Sequence, residues 1–211
     1  MSSLRTLSSF AIVSEVDTAI SRHSECKGEI ESIDVGDWLM GVLLLLPFFL
    51  VRFGLLSLLN TEAIKRAAYF APLLDNEKVA YWLYQISNVA IVVCMFFLKI
   101  KFVPIWLFYM GVAVYAAGII LLTVSVVNFA APAESGINKN GLYRVSRNPM
   151  YVAYFVFFIG CALLTQSLVL LTFALFFQIT AHWIILSEER WCVQKFGNDY
   201  RQYMERVRRY I

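Results

Sequence analysis

Five long apolar runs, at residues 38–59, 79–98, 104–128, 149–164 and 168–187, take up most of this 211-residue chain. About 20 such residues wound as a helix cross a hydrocarbon core of ~30 Å. In that medium only helices and closed barrels satisfy their own backbone polar groups. The runs are continuous rather than alternating, so helices are the expected elements. With 60% hydrophobic and 16% charged residues, the composition also lies outside the soluble range. The expected fold is all-α: a polytopic membrane protein of about five transmembrane helices, followed by a C-terminal amphipathic helix on the cytosolic side.

Residues 1–36 are polar and read as either a loosely held tail or an interfacial helix; residues 37–211 read as a single membrane domain. A net charge of +3 with no basic stripe points away from a nucleic-acid partner. Cys26, Cys94, Cys161 and Cys192 have no metal-ligand spacing, so neither zinc nor a disulfide is expected. The Met1 end lacks a basic segment followed by an apolar run, so no cleaved signal peptide is expected.

Lysines and arginines orient the spans. With five crossings, residues 1–36, 99–103 and 165–167 share one side and carry five of them, whereas residues 60–78, 129–148 and the C-terminal segment share the other and carry twelve. Positive charge is retained in the cytoplasm, which places the C-terminal segment and both ends of the last hairpin there. Within the spans, Pro47 should kink the first, and Gly111, Ala113, Ala116, Ala117 and Gly118 should let a neighbour approach the third. Arg52 is a charge at a costly depth, and either snorkels to the interface or serves a function.

The chemistry concentrates around the last hairpin. Asn148 is the expected cap and Pro149 the first residue of the fourth helix, whose N-terminus favours anions. Arg147 beside it can grip a carboxylate or phosphate by two parallel bonds. Glu188 and Glu189 close the fifth span at what is expected to be a helix C-terminus, where negative charge calls for a cation. That cation is either one of Arg144, Arg147 and Arg190 or a ligand's ammonium or sulfonium. At ~100° per residue Gln178, His182 and Glu189 fall on one stripe, which must face protein or a water-filled pocket. These polar groups either build a ligand site or satisfy one another and hold the hairpin together; His182 is either a packing or a working histidine.

The pattern G-x-Y-x-x-x-R-x-P-x-Y, a helical hairpin, then E-E-x(6)-F-G-x-x-Y-x-x-Y, over residues 136–207, resembles the integral-membrane methyltransferases. That group includes isoprenylcysteine carboxyl methyltransferases and phospholipid N-methyltransferases. The resemblance implies S-adenosylmethionine as methyl donor, held at the cytosolic face. Arg147, Pro149 and Tyr151 match the first motif, Glu188 and Glu189 the acidic pair, and Phe196, Gly197, Tyr200 and Tyr203 the closing segment. Gly141 and Tyr143 are expected to shape the loop over the donor. The chain departs from the pattern at Asn148, where the family often has His, at Ile184, where it often has Arg, and at Cys192, where it has Leu.

The expected reaction is direct methyl transfer to a lipid or prenylated acceptor entering from the bilayer, either a carboxylate or an amine. Arg147, Glu189 and His182 are the candidate catalytic residues, with His182 or a glutamate as base if the acceptor is an amine. The alternatives are an NADPH-dependent reductase of the sterol-reductase type and a non-catalytic membrane protein of the same fold.

Overall fold

A computed structural model describes residues 41–61, 63, 71–131 and 136–211. The tail at residues 1–36, Cys26 and the first residues of the expected first span lie outside the described residues. The described elements are helical: α1 (Gly41–Leu59), α2 (Asp75–Phe97), α3 (Ile105–Ala130), a 3-10 turn at Gly141–Arg144, α4 (Pro149–Thr165), α5 (Leu168–Phe196) and α6 (Asn198–Arg206). Among them α1, α2, α3 and α5 are long and apolar enough to cross a membrane. The fourth expected span, α4, has 17 residues and reaches only ~25 Å, at the short limit for a crossing.

Chain turns and ends sort to two faces. On one, Lys101 N–H donates to the Leu164 carbonyl (2.9 Å) and the Gln166 side chain to that of Val103 (2.8 Å), and Gly41 packs against the Met95 and Leu98 carbonyls. On the other, Asn60 donates to the Ala130 carbonyl (3.0 Å) and Arg190 grips Glu77 with both guanidinium nitrogens. The chain therefore runs up and down between the faces, and both ends of the α4–α5 hairpin lie on the second.

α4 packs between α3 and α5, and α2 covers the other side of α5. The core runs through Leu122, Phe157, Phe177 and Ile184, all buried. α3 and α4 touch backbone to backbone. A Cβ on Gly118 would stand 2.6 Å from the Phe157 backbone, and one on Gly160 2.5 Å from that of Tyr115. Of the five small residues expected to permit this approach, only Gly111 and Gly118 are buried; Ala113, Ala116 and Ala117 face outward. Helical phase explains the split, because seven residues return to the same face and two or five do not. The outward faces are apolar, with Leu58, Trp82, Val89, Trp106 and Ile120 among the exposed residues, as a lipid-facing surface requires.

Two expectations about helix geometry change. Beyond Pro47, α1 leaves α-geometry for a π-helical turn at Leu50–Leu55 that carries Arg52. The fifth helix does not end at the acidic pair: nothing between Ser187 and Phe196 breaks it, and it stops only at Gly197, whose φ of 57° suits glycine. Glu188 and Glu189 thus lie two turns inside α5, and the amphipathic helix is α6.

Candidate functional site

Where the second face meets the bundle, a cavity of about 640 Å³ opens between α1, α2, α4, α5, α6 and the loop before α4. This volume suits a drug-sized ligand. Tyr143, Arg147, Asn148, Tyr151, Glu188, Glu189, Phe196, Tyr200 and Tyr203 all line it. The spacing of the two motifs therefore brought together residues up to 60 positions apart, although the motif glycines Gly141 and Gly197 and two further candidates lie off the wall. Pro149 is buried as the first residue of α4 and is not on the wall. His182 is also off the wall: its Nδ1 lies 2.7 Å from the Tyr210 hydroxyl. It stands seven residues before Glu189, ~10 Å along the helix axis, so one stripe does not mean one pocket.

The acidic pair divides by helical phase. Glu189 is 3% exposed and turns toward the chain segments around it. Its Oε1 is 3.2 Å from Arg147 Nε, and its Oε2 accepts from Arg209 Nε (3.0 Å), with Arg209 Nη2 at 2.9 Å. Asn148 donates to the same carboxylate (3.3 Å) and to the Arg209 carbonyl (3.2 Å) instead of capping α4. The amide nitrogen is thereby fixed on a buried carboxylate, and the side-chain oxygen makes no capping bond. Arg147 and Glu189 therefore pair with each other, and the cation that Glu189 needs comes partly from Arg209. Arg147 turns its Nε to Glu189, and its Nη1 donates to the Met204 carbonyl (3.4 Å). Two arginines about one carboxylate leave a local charge of +1.

Glu188 turns into the cavity. Tyr151 donates to its Oε1 (2.9 Å), which fixes the carboxylate against the start of α4. Tyr84 and Tyr154 line the same region, and so does Arg52, whose guanidinium carbon is 6.0 Å from the Tyr154 ring. Arg52 thus turns inward to the cavity.

Around the outer end, Ile137, Tyr200 and Tyr203 form a small second core with Phe196 and Val207 packed on it. The Tyr203 hydroxyl donates to the Tyr143 carbonyl (2.6 Å), locking the 3-10 turn onto α6. Gly141, which opens that turn, sits on the Asn128 side chain. Burial pushes the Tyr143, Tyr200 and Tyr203 phenols well above their ordinary range, so all three stay neutral donors at physiological pH. The segment after α6 runs beside Arg147: the Arg147 N–H donates to the Arg208 carbonyl (2.9 Å), and Ser146 pairs with Arg208. The Glu189 hydrogen bond holds Arg209 more firmly protonated than usual.

Several lining residues carry no motif signal. Asn138 is the most telling, because its side-chain oxygen is buried on the cavity wall without a partner among the described residues. Lys195 lies over the Trp191 ring at 4.6 Å, next to Phe196. Arg209 was one of several arginines trailing the last motif, and nothing in its spacing distinguished it.

The geometry defines a polytopic α-helical membrane protein whose last hairpin holds a charged, aromatic-walled cavity at one end of the bundle. Residues 106–199 of the chain match the family model for phospholipid methyltransferases, a family of membrane enzymes that methylate lipid, as the sequence pattern indicated. No curated protein and no solved structure matches the chain. The match begins at the start of α3, so the shared region extends upstream of residues 136–207 and takes in the third apolar helix.

Proposed function

We propose that the protein transfers a methyl group from S-adenosylmethionine to the amine of a lipid headgroup entering from the bilayer. The observation that carries this reading is the cavity at the motif end of the hairpin, where Glu188 and the buried side-chain oxygen of Asn138 face one space. The donor is an amino acid joined to a nucleoside, and the residues present fit it. Arg147, on the cavity wall in a cluster of charge +1, suits the carboxylate. Asn138 offers an acceptor to an amino or hydroxyl group. Trp191, Phe196 and Tyr200 offer aromatic surface for the base. A Cβ on Gly136 would stand 3.3 Å from the Phe196 ring, so the loop lies directly over that surface.

When bound, S-adenosylmethionine supplies an electrophilic methyl on a sulfonium. The chain's own work is positioning and exclusion of water. The Tyr84, Tyr151 and Tyr154 side chains wall the inner end, and their faces suit an ammonium that gains methyl groups. Glu188, held by Tyr151, is the acid–base group the cavity offers an amine, and it would receive the proton that the amine gives up. His182 has no part in this step. Lysine and arginine distribution supports placing this face in the cytosol.

Purified protein should melt at a higher temperature with S-adenosylmethionine and not with NADPH. Glu188→Gln should abolish methyl transfer while the protein remains folded. Stabilisation by NADPH alone would refute the assignment in favour of a reductase.

A further inference from the structure

Arg52 belongs to neither motif, and α1 precedes the stretch that the family model matches. Leu45 and Leu56 nevertheless bracket Arg52 along α1, one on each side of the π-helical turn. Both leucines are buried. One turn before Arg52, Phe48 stacks on Phe157 at 4.9 Å and meets Tyr154 at 5.3 Å, so α1 is clamped onto α4. The π-helical turn at Leu50–Leu55 then delivers the guanidinium to the cavity, beside Tyr154 and across from Glu188. π-turns recur at functional positions because they re-aim a side chain at a cost in helix geometry. Neighbouring Leu50, Phe53 and Leu58 are exposed on the lipid side, so a cation seeking only the interface had an outward route open.

We propose that Arg52 is the acceptor-positioning residue, binding the phosphodiester of a lipid headgroup so that its amine lies against Glu188. The inference rests on the methyl-transfer reading for the identity of the reacting amine. A cation and a carboxylate facing one cavity complement a headgroup that carries phosphate and ammonium a few bonds apart. An acceptor whose only anion is the attacking carboxylate fits less well: Arg52 would engage the oxygen that must attack. Guanidinium suits a phosphodiester because it can donate two parallel bonds. Arg52 lies on α1, whereas the residues assigned to the donor lie on α5, α6 and the loop before α4, so acceptor choice can be set apart from donor binding.

The test uses the full chain in lipid nanodiscs, with acyl-labelled phosphatidylethanolamine as probe and an acyl-labelled dialkylamine lacking phosphate as control. Arg52→Gln should lose ~10-fold or more in affinity for the phospholipid, and Arg52→Lys should recover part of it. Affinity for the phosphate-free amine and, by calorimetry, for S-adenosylmethionine should change less than about twofold. Free glycerophosphoethanolamine as competitor separates a membrane-borne headgroup from the same chemistry in solution. Equal phospholipid binding by wild type and Arg52→Gln, an equal loss for the phosphate-free amine, or no phospholipid binding by wild type would each overturn the proposal. Arg52-dependent phospholipid binding without any methyl transfer would leave it standing and refute the methyl-transfer reading instead.

Discussion

The two glutamates of the acidic pair should fail in different ways when neutralised. Glu189 holds Arg147 and Arg209, with the Glu189 and Arg147 side chains only 4% and 7% exposed. Removing one partner of a buried pair costs ~3–5 kcal/mol, because the remaining charge is left in a poorly solvated place. Arg209 is 31% exposed and regains water, and glutamine keeps an oxygen for one guanidinium, so the lower end, about 3 kcal/mol, applies to Glu189→Gln. At ~2–4 °C per kcal/mol for a chain of this size, the melting temperature should fall by ~6–12 °C. Glu188→Gln keeps an acceptor for the Tyr151 hydroxyl, and Arg52, the cation that shares its cavity, is only half-buried, so the cost should stay within about 1 kcal/mol. The assay is thermal unfolding in one detergent, with Arg147→Met and the double variant completing a cycle. A coupling energy of at least ~1 kcal/mol between Arg147 and Glu189 is expected. A coupling near zero, or equal melting shifts for the two glutamine variants, would refute the division of labour between the glutamates.

Three further outcomes follow from the packing and the site. Gly118→Val should destabilise by about 2–3 kcal/mol or prevent accumulation of folded protein, whereas Ala117→Val on the outward face should melt like wild type. His182→Gln should retain methyl transfer at a rate close to wild type, since its ring meets Tyr210 rather than the cavity; loss of turnover without loss of stability would restore it as a base. Tyr203→Phe frees the Tyr143 carbonyl and should weaken S-adenosylmethionine binding, read by calorimetry, more than it lowers the melting temperature, because it releases the loop before α4 rather than the core.

Much of this architecture was legible in residue order. Apolar runs located the helices, and the short turns at residues 99–103 and 165–167 made neighbours antiparallel, which put Arg147 and the acidic pair on one face. Illegible parts depended on three-dimensional competition. Asn148 has a cap's sequence position, yet a buried carboxylate forty-one residues away takes its amide. Helical phase could separate Glu188 from Glu189, but only packing shows that one faces the cavity and the other a pair of arginines. Arg209 and Asn138 carry no periodic signal, since the strand-like contact at Arg208 and the loop at residues 136–140 lie outside regular helices. Arg52 announced itself as a charge in an apolar run, and the side it faces depended on the π-turn.

The most direct test of the account is transfer of labelled methyl from S-adenosylmethionine to phosphatidylethanolamine by purified protein in nanodiscs, with the lipid products separated and identified. Label on the headgroup nitrogen, absent with Glu188→Gln, is the predicted result. Label on no lipid, or label persisting at full rate in that variant, would contradict it.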